Sequence, residues 1–135
     1  MNFHLDTNIV IGLLNGRPSF YRERYERIRS ANNVFASSVV VFELWYGLAQ
    51  SGRVEENAKS LRRFLDTLSD ILPFTDEDAI AAGEIRAHLR KAGSPIGPYD
   101  LLIAAQAVRT NATLVTANIR EFERIDGLTC ESWSE

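Results

Sequence analysis

Three carboxylates and one amide stand at strand ends or near the starts of helical patterns in this chain: Asp6, Glu43, Asp100 and Asn118. Asp6 follows Phe3-His4-Leu5 and precedes Ile9, Val10, Leu13 and Leu14, which have helical spacing. Glu43 interrupts the apolar run from Val39 to Tyr46, where an unpaired carboxylate is costly. Asp100 comes after a Gly-Pro-Tyr turn and leads an apolar helix, and Asn118 lies just past Thr113 to Thr116. In a parallel sheet, ligands sit beyond the carboxyl ends of the strands, so these four residues are expected to converge at one rim. Carboxylates that close would hold on to protons unless a cation offset their charge. An oxygen-only set that leaves room for water suits Mg²⁺ or Mn²⁺. Phosphoryl transfer is the chemistry such a site serves, the ion activating a water and offsetting charge on the phosphate oxygens. Each residue taken singly has a plainer reading: Asp6 with Thr7 and Asn8, Asp100, and Asn118 with Thr116 all stand where helix caps stand.

The elements that must position these groups follow from periodicity and punctuation. Phe3 to Leu5, Val34 to Ala36, Ile71 to Phe74, Thr113 to Thr116 and Leu128 to Cys130 read as short buried strands, the third as a strand or extended linker. Between them lie helical patterns. One ends at Asn15-Gly16, one runs from near Pro18 to about Arg29, and one covers Val39 to about Gln50 with Ser37 or Ser38 as its cap. Another carries Val54, Ala58, Leu61, Leu65 and Leu68 on one face. A further helix runs from Asp76 to about Arg90, with Thr75 as cap, acids at its positive end, and Ala81, Ile85 and Leu89 facing inward. The last long one runs from Leu101 to about Arg109, with a half-turn through Glu121 and Phe122 after it. Short strands alternating with helices imply a mainly parallel sheet covered on both faces, a three-layer α/β/α sandwich. No linker, repeat or low-complexity segment divides residues 1–135, so a single domain is expected.

Composition narrows the field. With 135 residues and 45% hydrophobic content the chain can bury a core. It has no apolar run of membrane-spanning length and no basic leader before an apolar core, and Cys130 is its single cysteine; a cytoplasmic protein is expected. The formal charge is −3, but residues 1–65 hold nine basic and six acidic groups, the later ones six and twelve. Arg22, Arg24 and Arg27 form a basic patch that reads either as phosphate contacts or as the solvated face of a helix whose other side carries Tyr21, Tyr25 and Ile28. Gly-rich phosphate loops and dinucleotide fingerprints are missing. His4 and His88 lack the partners of a zinc site, and His4 reads as a surface or strand-edge residue. Trp45 and Tyr46 read as core or interface rather than as a base-stacking platform. A receiver-like signalling module would need a late lysine, and residues 91–135 offer only Lys91 in a loop.

With the acids placed, four blocks of sequence are similar to the PIN-domain proteins of the VapC branch. They are His-Leu-Asp-Thr-Asn at 4–8, Ser-Ser-Val-Val-Val-Phe-Glu-Leu-Trp-Tyr-Gly at 37–47, Pro-Ile-Gly-Pro-Tyr-Asp-Leu-Leu-Ile-Ala-Ala-Gln-Ala at 95–107, and Leu-Val-Thr-Ala-Asn-Ile-Arg-Glu-Phe-Glu-Arg-Ile-Asp-Gly-Leu at 114–128, followed by Glu131-Ser132-Trp133. The resemblance spans the chain and implies the toxin of a type II toxin–antitoxin pair. Such a toxin is a Mg²⁺- or Mn²⁺-dependent endoribonuclease that cuts structured RNA, such as a tRNA or ribosomal RNA loop, and stops translation. It also implies a homodimer and a small VapB-like antitoxin that covers the active site and binds promoter DNA. Carried onto this chain, Asp6, Glu43 and Asp100 become metal-binding carboxylates. Glu121 completes the site where Asn118 replaces a fourth acid, and Thr116 and Asn8 give hydrogen-bonding support. Three carboxylates favour one firmly bound ion, with hydrolysis by metal-activated water leaving a 5′-phosphate and a 3′-hydroxyl. A PIN-type nuclease of RNA processing, or one acting on DNA, is the enzymatic alternative.

Overall fold

The computed structural model describes residues 1–134; Glu135, the last residue of the expected domain, lies outside them. Elements follow in the order β1 (Asn2–Leu5), α1 (Thr7–Asn15), α2 (Phe20–Arg29), β2 (Asn33–Ser37), α3 (Ser38–Ala49), α4 (Val54–Leu65), β3 (Asp70–Leu72), α5 (Asp76–Lys91), α6 (Pro98–Arg109), β4 (Thr113–Val115), α7 (Ile119–Phe122) and β5 (Thr129–Glu131). All five strands are parallel, in the spatial order β3-β2-β1-β4-β5. His4 pairs in register with Phe35 on one side and Leu114 on the other, which makes β1 the central strand. Helices α1 to α4 pack on one another, and α5 pairs with α6, giving the α/β/α sandwich.

Burial on both faces explains the apolar strands. Leu5, Val34, Ala36, Leu114 and Val115 are all but inaccessible, and Ile9, Val10, Val40, Ile103 and Ala104 close over them from the helices. The chain order runs outward from β1 to β3, then returns to β4 on the opposite side of β1. The crevice between the carboxyl ends of β1 and β4 is therefore the switch point where such sheets bind ligands. Two glycines are required by geometry. Gly16 ends α1 in the left-handed region, and a Cβ on Gly12 would stand 2.9 Å from the Arg17 carbonyl oxygen.

Helix α3 opens as expected: Val39 to Val41 belong to it, and of the two candidate serines it is Ser37 whose hydroxyl accepts the Val39 N–H, at 3.0 Å. Other local expectations shift. Helix α4 stops at Leu65, three residues short of Leu68, which is nonetheless buried. The inward face of α5 is Asp78, Ala82, Ile85 and Leu89, so Ala82 rather than Ala81 is its buried alanine. Burial of Asp78 is made tolerable by Thr75, with which it forms a reciprocal capping box, and by the Arg109 guanidinium, which bonds it across from α6.

His4 is the clearest departure, for it is a fully buried residue of the central strand rather than a surface or edge one. Its Nε2 lies 3.3 Å from the Thr110 hydroxyl and its ring packs on Phe35. Burial, only partly countered by Asp78, pushes its pKa down to about 4, so it is neutral at pH 7. The surrounding residues from β2 and α6 come from distant sequence, so the local pattern could not reveal this.

Candidate active site

Asp6 leaves β1 in extended geometry, its N–H donating to the Val115 carbonyl at 3.1 Å, and its Oδ1 accepts the Ile9 N–H at 2.9 Å. Cap and rim carboxylate are thus one residue: the strand-to-helix turn that needs the cap also points the acid over the crevice. Only 5% of Asp6 is exposed. Burial pushes its pKa up, hydrogen bonds from the Thr116 side chain and the Ile9 and Asn8 backbone pull it down, Glu43 adds an upward push, and the balance is upward.

Glu43 sits half-buried on α3, and its Oε1 accepts the Thr7 hydroxyl at 2.6 Å. Thr7 is thereby the functional neighbour that sequence reasoning treated only as a capping residue. Its position between Asp6 and Asn8 was visible, but the partner 36 residues away was not. Asp100 lies in the first turn of α6, which begins at Pro98 rather than at Leu101. No hydrogen-bond donor among the described residues offsets its charge. Burial first, then Glu121, Asp6 and Glu43, push its pKa up to about 6. Four acids from four separate segments therefore act on one another electrostatically.

The remaining candidates lie behind or beside this group. Glu121 accepts the Asn118 amide at 2.6 Å and the Gly97 backbone N–H at 3.2 Å, tying α7 to the loop before Asp100. Thr116 is fully buried; besides bonding Asp6, its hydroxyl oxygen accepts the Asn118 N–H at 3.0 Å. Asn118 serves Glu121 directly and bonds no side chain of the other three acids among the described residues. Asn8 supports Asp6 through its backbone. Cys130 takes no part: burial, then Asp6 and Glu123, push its thiol up to about 11, leaving it protonated.

A cleft of about 700 Å³ opens over the carboxylates, lined by Asp6, Thr7, Asn8, Glu43 and Asp100 together with Ile11, Phe42, Tyr46 and Tyr99. Tyr46 is 59% exposed here, rather than in the core, whereas Trp45 is half-buried with the Arg62 guanidinium over its ring. Phe42 and Tyr99 escaped the sequence reading altogether; each is the immediate neighbour of a cleft carboxylate, which was the available signal. The arginine patch stays apart. Arg27 pairs with Glu23 at 2.6 Å, Arg24 bonds the Ser134 carbonyl, Arg22 bonds the Leu13 carbonyl, and none of them lines the cleft. Among the described residues, no three His, Cys, Asp or Glu side chains already stand gathered as ligands of one ion. The donor set nonetheless has the chemistry of a hard-cation site, being all oxygen, multiply anionic and open to water.

Comparison with known proteins identifies what carries this arrangement. The family model of the PIN domain matches residues 4–128. A Rickettsia felis protein, ribonuclease VapC2, is 41% identical over 135 residues, covering all of both chains. The tRNA(fMet)-specific endonuclease VapC of Salmonella typhimurium is 38% identical over 98% of each chain. A crystal structure of Rickettsia felis VapBC2, bound to a DNA fragment from its promoter, aligns with a TM-score of 0.94 at 40% identity, covering 99% of this chain and 100% of that one. The chain belongs to the VapC family of PIN-domain ribonuclease toxins. Nuclease activity is the shared property of that family, and for a VapC-family nuclease the rim between β1 and β4 is the natural place to look for chemistry.

Proposed function

We propose that this chain is a divalent-cation-dependent endoribonuclease toxin that hydrolyses phosphodiester bonds in looped RNA and so inhibits translation. The observation that carries the proposal is the convergence of Asp6, Glu43 and Asp100 on one open cleft, with the proton affinity of Asp100 raised by the surrounding acids. Asp6, Glu43 and Asp100 are the residues that would hold Mg²⁺ or Mn²⁺. Bound there, the cation would offset the carboxylates' repulsion, activate a water and neutralise charge developing on the phosphate oxygens. Thr7 keeps the Glu43 carboxylate turned toward the cleft, and the cap to Ile9 fixes Asp6. Glu121 and Asn118 brace the loop that delivers Asp100. No histidine lines the cleft to drive attack by a ribose 2′-hydroxyl, so water as nucleophile, a 5′-phosphate and a 3′-hydroxyl are the expected chemistry.

An RNA substrate is supported by the Salmonella relative, whose name specifies a tRNA, and a cognate antitoxin with its own DNA-binding part by the Rickettsia complex with promoter DNA. We read the chain as a cytoplasmic homodimer held silent by such an antitoxin; no helix among the described residues is long and apolar enough to cross a membrane. Induced expression of wild type and of Asp6→Ala, Glu43→Ala and Asp100→Ala tests this reading. Each alanine variant should fold yet lose growth arrest, and Asn118→Ala should lose less than Asp100→Ala. Full toxicity in all three acid variants would sink it.

A further inference from the structure

Large apolar side chains exposed to water are scarce among the described residues, and they are not scattered evenly. Of the seven found, four line the carboxylate cleft: Ile11, Phe42, Tyr46 and Tyr99, the three aromatics being 51%, 59% and 46% exposed. The Phe42 ring stands 5.5 Å from Tyr99 at 57° and 6.5 Å from Tyr46 at 23°, so the three rings form a continuous surface contributed by α3 and α6. Its placement is set by the sequence, since Phe42 precedes Glu43, Tyr99 precedes Asp100, and Tyr46 is one helical turn beyond Phe42.

We propose that Phe42, Tyr46 and Tyr99 are substrate-positioning residues: a stacking shelf that holds unpaired nucleobases beside the scissile phosphate and so restricts the cleft to single-stranded or splayed-out RNA. The proposal rests on the endoribonuclease reading above. A phosphate brought to Glu43 and Asp100 carries its bases only one sugar away, and these rings border that space. The cleft is anionic, so flanking phosphates are repelled there, whereas an uncharged base face meets no such penalty and gains from burial against an aromatic ring. Stacking needs a base with a free face. A duplex keeps its faces covered, which turns the shelf into a selector for loops.

The test compares binding of a 15-nucleotide single-stranded RNA, and of the same strand annealed to its complement, to wild type, Phe42→Leu, Tyr99→Leu, Phe42→Trp and Tyr99→Trp by fluorescence anisotropy, with cleavage followed in parallel. Each leucine variant should weaken single-strand binding roughly 5- to 100-fold, the range of one lost base–aromatic stack, and leave the weaker duplex binding unchanged. The tryptophan variants, which keep a flat ring, should restore it. Equal losses on both RNAs, no loss on either, or failure of tryptophan to restore binding would overturn the shelf. So would leucine variants that alter self-association in sedimentation while RNA binding stays constant, which would assign the surface to a second copy of the chain. Ring-dependent binding without cleavage by wild type would defeat the nuclease reading instead; cleavage with ring-independent binding would defeat the shelf alone.

Discussion

Asp100→Asn should stabilise the cation-free protein, and only above mildly acidic pH. The carboxyl of Asp100 is raised from its ordinary 3.8 to about 6 by burial and by Glu121, Asp6 and Glu43. A carboxyl with a raised folded-state pKa contributes stability that is full below the unfolded pKa and is lost as pH rises through the folded one. At about 1.4 kcal/mol per tenfold in proton affinity, an unscreened group would cost the fold about 3 kcal/mol above pH 6. Asp100 is half-buried and water screens it, so a penalty of ~1 kcal/mol is expected, or about 3–4 °C in Tm for a chain of this length. Urea unfolding in a chelator from pH 4 to pH 8, for wild type and Asp100→Asn, reads this directly. His4 complicates the wild-type curve with the opposite slope: its pKa is lowered to about 4, so its contribution is full above pH 6.5 and fades as pH falls. Both proteins share His4, and subtraction removes it. The difference should open between pH 4 and pH 6 in favour of the variant, and Mg²⁺ at pH 8 should stabilise wild type more than Asp100→Asn. A flat difference across this range would refute the electrostatic coupling of the four acids.

Thr7→Val removes the hydroxyl that holds Glu43 at 2.6 Å, and should raise the Mg²⁺ concentration for half-maximal cleavage on the order of tenfold with little change in Tm. A metal titration of RNA cleavage checks it. Arg109→Ala strands the fully buried Asp78, and should cost about 3 kcal/mol, lowering Tm by ~10 °C, while cleavage at 20 °C is retained because the pair lies outside the cleft. In wild type that pair also sets an acid limit: burial pushes Asp78 up, but Arg109 and Thr75 more than compensate, so the stability it contributes above the ordinary aspartate range is lost as pH falls through its lowered pKa.

The parts of the fold legible in the sequence were those with local causes. Thr75 before three acids marked the start of α5, Asn15-Gly16 marked the end of α1, and the apolar triplets marked strands buried on both faces. The β-branched Val39 to Val41 stayed helical as expected, because the Ser37 cap and the core beneath Val40 and Leu44 outweigh their strand preference. A boundary slipped where the apolar pattern ran past the helix, as at Leu68, buried beyond the end of α4. For the site, Asp6 at the turn from β1 into α1, Glu43 within α3 and Asp100 in the first turn of α6 were legible as acids set among apolar residues, and the fold brings all three to one cleft. What stayed hidden depended on contacts across the fold: Thr7 reaching Glu43, His4 enclosed by β2 and α6, and the rings of Phe42 and Tyr99 meeting over the cleft. Arg22, Arg24 and Arg27 illustrate the converse, since charge density in sequence did not reveal that none of them lines the cleft and that Arg27 is paired with Glu23.

Cleavage of a labelled tRNA transcript by the purified chain, with Mg²⁺ or with excess chelator, beside Asp6→Asn and Asp100→Asn, bears most directly on the central claim. The cuts should need the cation, vanish in both variants, and leave 5′-phosphate and 3′-hydroxyl ends. Cuts that persist in chelator or in the variants, or that leave a 2′,3′-cyclic phosphate, would contradict it.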